Sequence, residues 1–295
     1  MKKRRRNKNI ACLYFLLPSL LGVIVFVLAP FADVCRRSFT TAVTGEYSGI
    51  DNYRQVFENK AFGLAAGNTV KFVLVCLPLL IGLGLIIAYF LSRFTRIHFL
   101  KSAFLFPMAV PAATVVLIWK LIFERQGFLN LFLTRLGEMA YSAGVLQSAP
   151  VFDIDYMGTG AAFWVLVFSY IWKNLGYTVV LWLTGILSIS VQIREAARVD
   201  GAGELTCFVR VIMPNLKPVL YTITVLSFLN TFKAFREAYL VAGSYPDESM
   251  YLLQHLFNNW FTNLDFDKMA AAAVIMGFIL FAAILLLQKL WDEGE

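Results

Sequence analysis

The sequence predicts an all-α polytopic membrane protein: six transmembrane helices, N- and C-termini in the cytoplasm, and a cytoplasmic helical loop between spans four and five. Three observations carry this. Of 295 residues, 59% are hydrophobic and only 15% charged, with a mean hydropathy of +0.68; a soluble domain carries about 25% charge. Uncharged runs long enough for a ~30 Å hydrocarbon layer recur along the chain. Basic residues gather beside alternate runs, the mark of cytoplasmic loops. The net charge of +7 is thus a topology signal and does not point to nucleic acid. Cys12, Cys35, Cys76 and Cys207 have neither disulfide nor metal-ligand spacing, and His98 and His255 stand alone.

Residues 1–10 hold Lys2, Lys3, Arg4, Arg5, Arg6 and Lys8, a basic N-terminus expected in the cytoplasm. The membrane domain is read as 11–291. Its first span, 11–32, is 22 residues without a charge, well past the ~7–15 residues of a signal-peptide core. Residues 33–68 are polar and external. Span two is about 70–91, with Pro78, Gly82 and Gly84 for close packing or a kink. Arg93, Arg96 and Lys101, with no acid among them, put the next loop inside. Span three is about 102–123, bent by Pro107 and Pro111. Residues 125–157 are external and mixed. Span four is about 160–186, span five about 217–240, and span six about 269–289, with a cytoplasmic tail at 292–295. In the external segment 241–267, Leu252, Leu253, Leu256, Phe257, Trp260 and Phe261 recur at helical spacing. They predict an amphipathic helix at the outer interface.

The loop 187–216 contains EAARVDGAGELTCFVRVIMP, from Glu195 to Pro214. Its Ala-rich start favours helix, and Gly201 and Gly203 interrupt it. A second short helix is expected from Glu204 to about Arg210, with Leu205, Phe208 and Val209 on one side. Pro214 is expected to end it. A helix-turn-helix of this kind suits docking into a groove of another protein.

Glu195, Ala196, Ala197, Gly201 and Pro214 stand at the spacing of the EAA motif, and Asp200 and Ala202 extend the match. Val211 and Met213 replace the usual Ile and Leu. The chain thus resembles permease subunits of binding-protein-dependent ABC importers, of the carbohydrate-uptake type represented by maltose and glycerol-phosphate permeases. Gly49-Ile50-Asp51-Asn52-Tyr53, and Trp172-Lys173 with Gly176, are also similar to segments of sugar permeases. The resemblance implies a second, homologous permease chain, a dimer of ATP-binding cassette ATPases that holds the ATP and Mg, and an extracytoplasmic solute-binding protein. It implies a bacterial plasma membrane and no cofactor in this chain. It gives Glu195 a charge contact with the ATPase, lets Ala196, Ala197 and Gly201 allow close approach, and adds Asp200, Leu205, Phe208 and Pro214 to the coupling surface.

Two polar stripes mark where a solute would pass. Lys173 falls mid-span, with Tyr170, Asn174 and Tyr177 on its helical face. Span five carries Ser227, Asn230, Lys233 and Glu237. One reading makes these the walls of a route for a hydroxylated solute. The other makes them glue between helices, with Lys173 paired or snorkelling.

No GxxxxGK[ST] phosphate loop occurs, so nucleotide chemistry is expected on another chain. No HExxH or GxSxG constellation points to a membrane enzyme. The alternatives are an ABC permease for a non-sugar solute and a secondary transporter, for which an inverted repeat would speak.

Overall fold

The computed structural model describes residues 16–93, 97–232 and 235–292. The basic N-terminus 1–10, Lys233 and residues 293–295 of the tail lie outside that set, as do the side chains of His98 and Glu237. Among the described residues the regular elements are helices, joined by turns and loops, with one isolated bridge between Thr40 and Tyr47. Among them four helices are long and apolar enough to cross a membrane: Leu16–Arg37, Lys60–Leu91, Ala162–Ser188 and Phe266–Trp291. Two bent helix pairs bring the number to six if each is one span.

The chain divides into two compact units. The first comprises residues 1–63 and 257–295. Here α1 (Leu16–Arg37) and α2 (Asp51–Glu58) pack on the C-terminal α13 (Phe266–Asp292). The turn between α1 and α2 is fixed by polar contacts: Asn52 Nδ2 donates to the Ser38 and Thr40 carbonyls at 3.0 and 2.9 Å, and Ser38 Oγ lies 2.7 Å from the Tyr53 hydroxyl. Ala270, Ala271 and Ala272 of α13 are all buried; small side chains let helix backbones approach closely where lipid offers no hydrophobic drive.

The second unit, residues 64–256, is built around α7 (Ala162–Ser188). α3 (Lys60–Leu91) supplies Phe72, Cys76 and Leu80 to a buried cluster with Phe163, Leu166, Val167 and Tyr170 of α7. A second cluster joins Ala88 of α3 to Trp182, Leu183 and Ile186 of α7 and to Ile212, Leu216 and Ile223 further on. Three glycines permit this. A Cβ on Gly84 would sit 2.7 Å from Thr178 Oγ1, and one on Gly185 2.8 Å from Val219 Cγ2. A Cβ on Gly176 would overlap the Phe104 backbone carbonyl of α4 (Ile97–Ala109), which lies along α7.

Several elements differ from their sequence-based expectation. α3 starts at Lys60, before the apolar run, because Asn59 Oδ1 accepts the Phe62 N–H at 3.2 Å and caps the start. Its polar Asn68 and Thr69 are satisfied where they lie: Asn68 Nδ2 donates to the Tyr251 carbonyl at 3.0 Å, and Thr69 Oγ1 accepts from Leu253 N–H at 3.0 Å. The break in the third apolar segment falls at Val110-Pro111, between α4 and α5 (Ala112–Phe123). The segment read as a mixed external loop contains α6 (Phe128–Ser142). Residues 150–154 return along it: Asn130 Nδ2 donates to the Arg125 and Ile154 carbonyls at 2.8 Å each. The helix read as interfacial is α12 (Leu253–Thr262), and it is mostly interior. Leu252, Leu253, Leu256 and Trp260 are buried, and so are His255 and Asn259, so its apolar residues meet protein on more than one side.

Candidate functional site

The loop after α7 folds as a helix, a left-handed turn and a second helix. α8 (Val191–Val199) starts at Ser190, whose Oγ accepts the Ile193 N–H at 3.4 Å. Gly201 ends it with φ +82. Ala202 N–H reaches back to the Ala197 carbonyl at 2.9 Å, and Gly201 N–H to the Arg198 carbonyl at 3.0 Å. This pair of bonds is the Schellman C-cap, which needs a residue free to take positive φ at position 201. The glycine of the motif is therefore a backbone requirement.

α9 (Glu204–Asn215) follows and carries a wider π turn over Phe208–Ile212. Pro214 does not terminate it. It sits at the start of the turn Met213–Asn215, where a missing N–H costs little. The chain instead turns at Leu216, and the axis of α10 (Lys217–Thr231) is bent 67° from that of α9.

Glu195, Ala196, Asp200, Gly201 and Pro214 are exposed, and Ala197 is half-buried. Two apolar side chains stand almost bare, Val199 at 86% and Leu205 at 76% exposure. Phe208, expected on the same outer surface, turns inward: its ring stacks edge-on against Tyr89 of α3 at 4.6 Å. An ion-pair group lies beside that contact. Glu204 Oε2 accepts from Arg93 at 2.9 Å and from the Tyr89 hydroxyl at 3.3 Å, while Oε1 accepts from Arg198 at 2.8 Å. Arg93 also donates to the Tyr89 hydroxyl at 2.7 Å. The sequence reading treated Arg93 as a topology charge and Glu204 as a helix start. A lone acid after a glycine turn, facing a short loop of basic residues, was the available signal.

The two polar stripes come into direct contact. The Tyr177 hydroxyl of α7 lies 2.6 Å from Ser227 Oγ of α10. The Tyr170 hydroxyl donates to the Ser227 carbonyl at 3.4 Å, and Asn174 Nδ2 donates to the Tyr170 carbonyl at 2.9 Å. Tyr170 and Ser227 are buried; Lys173, Asn174, Tyr177 and Asn230 are half-buried. Glu237 belongs to the helix Phe235–Ala242, here α11.

These features describe an all-helical chain with several apolar helices of membrane length and a helix-turn-helix loop between α7 and α10. The chain belongs to the family described as binding-protein-dependent transport system inner membrane component, whose model matches residues 80–292. It is 28% identical to the arabinooligosaccharides transport system permease protein AraP of Bacillus subtilis, over 95% of this chain and 86% of that one. It is also 28% identical to the trehalose/maltose transport system permease protein MalF of Thermococcus litoralis (90% and 88% covered). The sn-glycerol-3-phosphate permease protein UgpA of Yersinia pestis shares 26% (88% and 86% covered). In fold it matches a chain of a bacterial ABC transporter that imports alginate, with a TM-score of 0.80 at 18% identity, covering 99% of both chains.

Proposed function

We propose that this chain is one permease subunit of an ABC importer that carries an oligosaccharide or a related hydroxylated solute into a bacterial cell. ATP, with its Mg, is hydrolysed on a separate ATPase dimer, and a homologous second permease completes the pore. An extracytoplasmic binding protein delivers the cargo. The termini and the loop 187–216 face the cytoplasm. The observation that carries this reading is the loop itself. It joins α7 to α10 and presents Glu195, Ala196, Val199 and Leu205 outward around a Gly201 turn. Apolar side chains this bare beside a carboxylate are what a docking helix offers a partner groove. The saccharide cargo rests on the names of the relatives.

The route runs between α7 and α10, along Tyr170, Lys173, Asn174, Tyr177, Ser227 and Asn230. The bonds of Tyr177 and Tyr170 to Ser227 then belong to a closed state, and the two helices part when the pore opens. The test is reconstitution of the complete transporter in proteoliposomes. Labelled arabino-oligosaccharides, maltotriose and glycerol 3-phosphate are offered with ATP inside. ATP-dependent accumulation of one of them is expected. Accumulation driven by an ion gradient without the ATPase would refute the importer reading. Normal uptake by Tyr177→Leu and Asn230→Leu variants in an intact assembly would refute the route.

A further inference from the structure

We propose that Glu204 is a positioning residue that yokes the docking loop to the end of α3, so that a displacement of the loop reaches the second span as well as α7 and α10. The proposal rests on the importer reading above. Three segments meet at the one carboxylate. Oε1 holds Arg198, in the last turn of α8; Oε2 holds Arg93 and the Tyr89 hydroxyl, at the end of α3; and the residue itself opens α9. The Arg93 guanidinium lies 4.8 Å from the centre of the Tyr89 ring, which also packs edge-on against Phe208 of α9. Each bond to Glu204 comes from a different stretch of chain, and the Gly201 turn is what brings Arg198 back over Glu204.

Solvent screening sets what such a group can do. The three charged side chains are each 52–63% exposed. Pairs that open to water add little to stability. The value of this group is geometric: two oxygens hold two arginines at once, so the loop's angle to α3 is fixed without a deep core. Removing it leaves the fold and the assembly in place and loosens the transmission.

The experiment uses the complete reconstituted transporter with Glu204→Gln, Arg93→Gln and Arg198→Gln variants. Each is assayed for uptake of whichever of the three labelled probes the wild type accumulates, for ATP hydrolysis, and for co-purification of the ATPase. Expected for Glu204→Gln and Arg93→Gln is a fall of about fivefold or more in solute moved per ATP, with co-purification unchanged, since coupling between sites is commonly of that size. The double variant Glu204→Gln/Arg93→Gln should fall no further than either single one. Unchanged solute per ATP in Glu204→Gln, or a fully additive double variant, overturns the yoke. A loss explained by reduced co-purification also overturns it, because Glu204 then serves assembly. Absence of ATP-dependent uptake in the wild type overturns the importer reading instead, and the yoke with it.

Discussion

Replacing Gly176 with alanine tests whether close approach of α4 to α7 holds the second unit together. A Cβ at 176 would lie 2.6 Å from the Phe104 carbonyl carbon, where ordinary contact begins at 3.4 Å, and closer still to the carbonyl oxygen. The obstacle is backbone, which cannot rotate aside as a side chain does. α4 must therefore retreat by more than an ångström along the line of contact, which opens gaps on either side of the crossing. Overpacking of this kind costs about 1–3 kcal/mol. Against it, alanine favours helix over glycine by up to about 1 kcal/mol. The balance is a loss of about 1–2 kcal/mol, or roughly 4 °C in apparent melting temperature for a chain of this size. The assay is thermal unfolding of the purified chain in detergent, followed by size-exclusion with fluorescence detection. Gly82→Ala and Gly277→Ala are the controls, since a Cβ at either meets nothing within 4 Å. Their melting should match or slightly exceed that of the native chain. If Gly176→Ala melts with the controls, the α4–α7 contact is not the constraint described.

Other outcomes follow from single contacts. Burial pushes the His255 pKa down to about 4 from an ordinary 6.5, so the unfolded chain takes up that proton first as the pH falls. Its contribution to stability is complete above 6.5 and is lost between 6.5 and about 4, a loss of about 3 kcal/mol that a His255→Gln variant should not show in melts across pH 4–8. Asn130→Ala removes two hydrogen bonds that tie residues 125 and 154 to α6 and should cost about 2 kcal/mol. Limited proteolysis between residues 143 and 157 should quicken in that variant. Val199→Asp and Leu205→Asp, at 86% and 76% exposed positions, should leave melting unchanged while ATPase co-purification falls about tenfold, a shift of ~1.4 kcal/mol.

What the sequence made legible depended on range. The apolar runs and the Gly201 turn follow from local chemistry, and a helix stands on each side of that turn, although the second runs on to Asn215. The loop's turn was readable because positive φ next to an alanine-rich helix leaves few residue types open. Burial of α12 was not readable: its heptad-like Leu and Trp positions look the same facing lipid, water or protein. The start of α3 at Lys60 was hidden for a similar reason, since Asn68 and Thr69 are satisfied by residues around 251–253, far along the chain. Phe208 was assigned to the outer surface by periodicity and by the resemblance, and the π turn that begins there shifts the face it presents.

The same contrast separates what holds the molecule from what moves it. Within the apolar region α7 touches its neighbours at Gly84, Gly176 and Gly185 crossings, where any added atom must displace backbone or branched side chains. The Gly84 and Gly176 contacts have one arrangement, and α7 moves as a body with α3 and α4. At the loop the contacts are of the opposite kind. They are polar, shallow and shared, through Glu204, Arg93, Arg198 and Tyr89. Breaking and remaking them exchanges one set of hydrogen bonds for water at small cost. A transporter must pass a large motion from a docked partner into packed helices and then reset. On the importer reading proposed above, rigid glycine crossings convey the displacement, and the half-exposed ionic yoke sets the angle at which it is delivered.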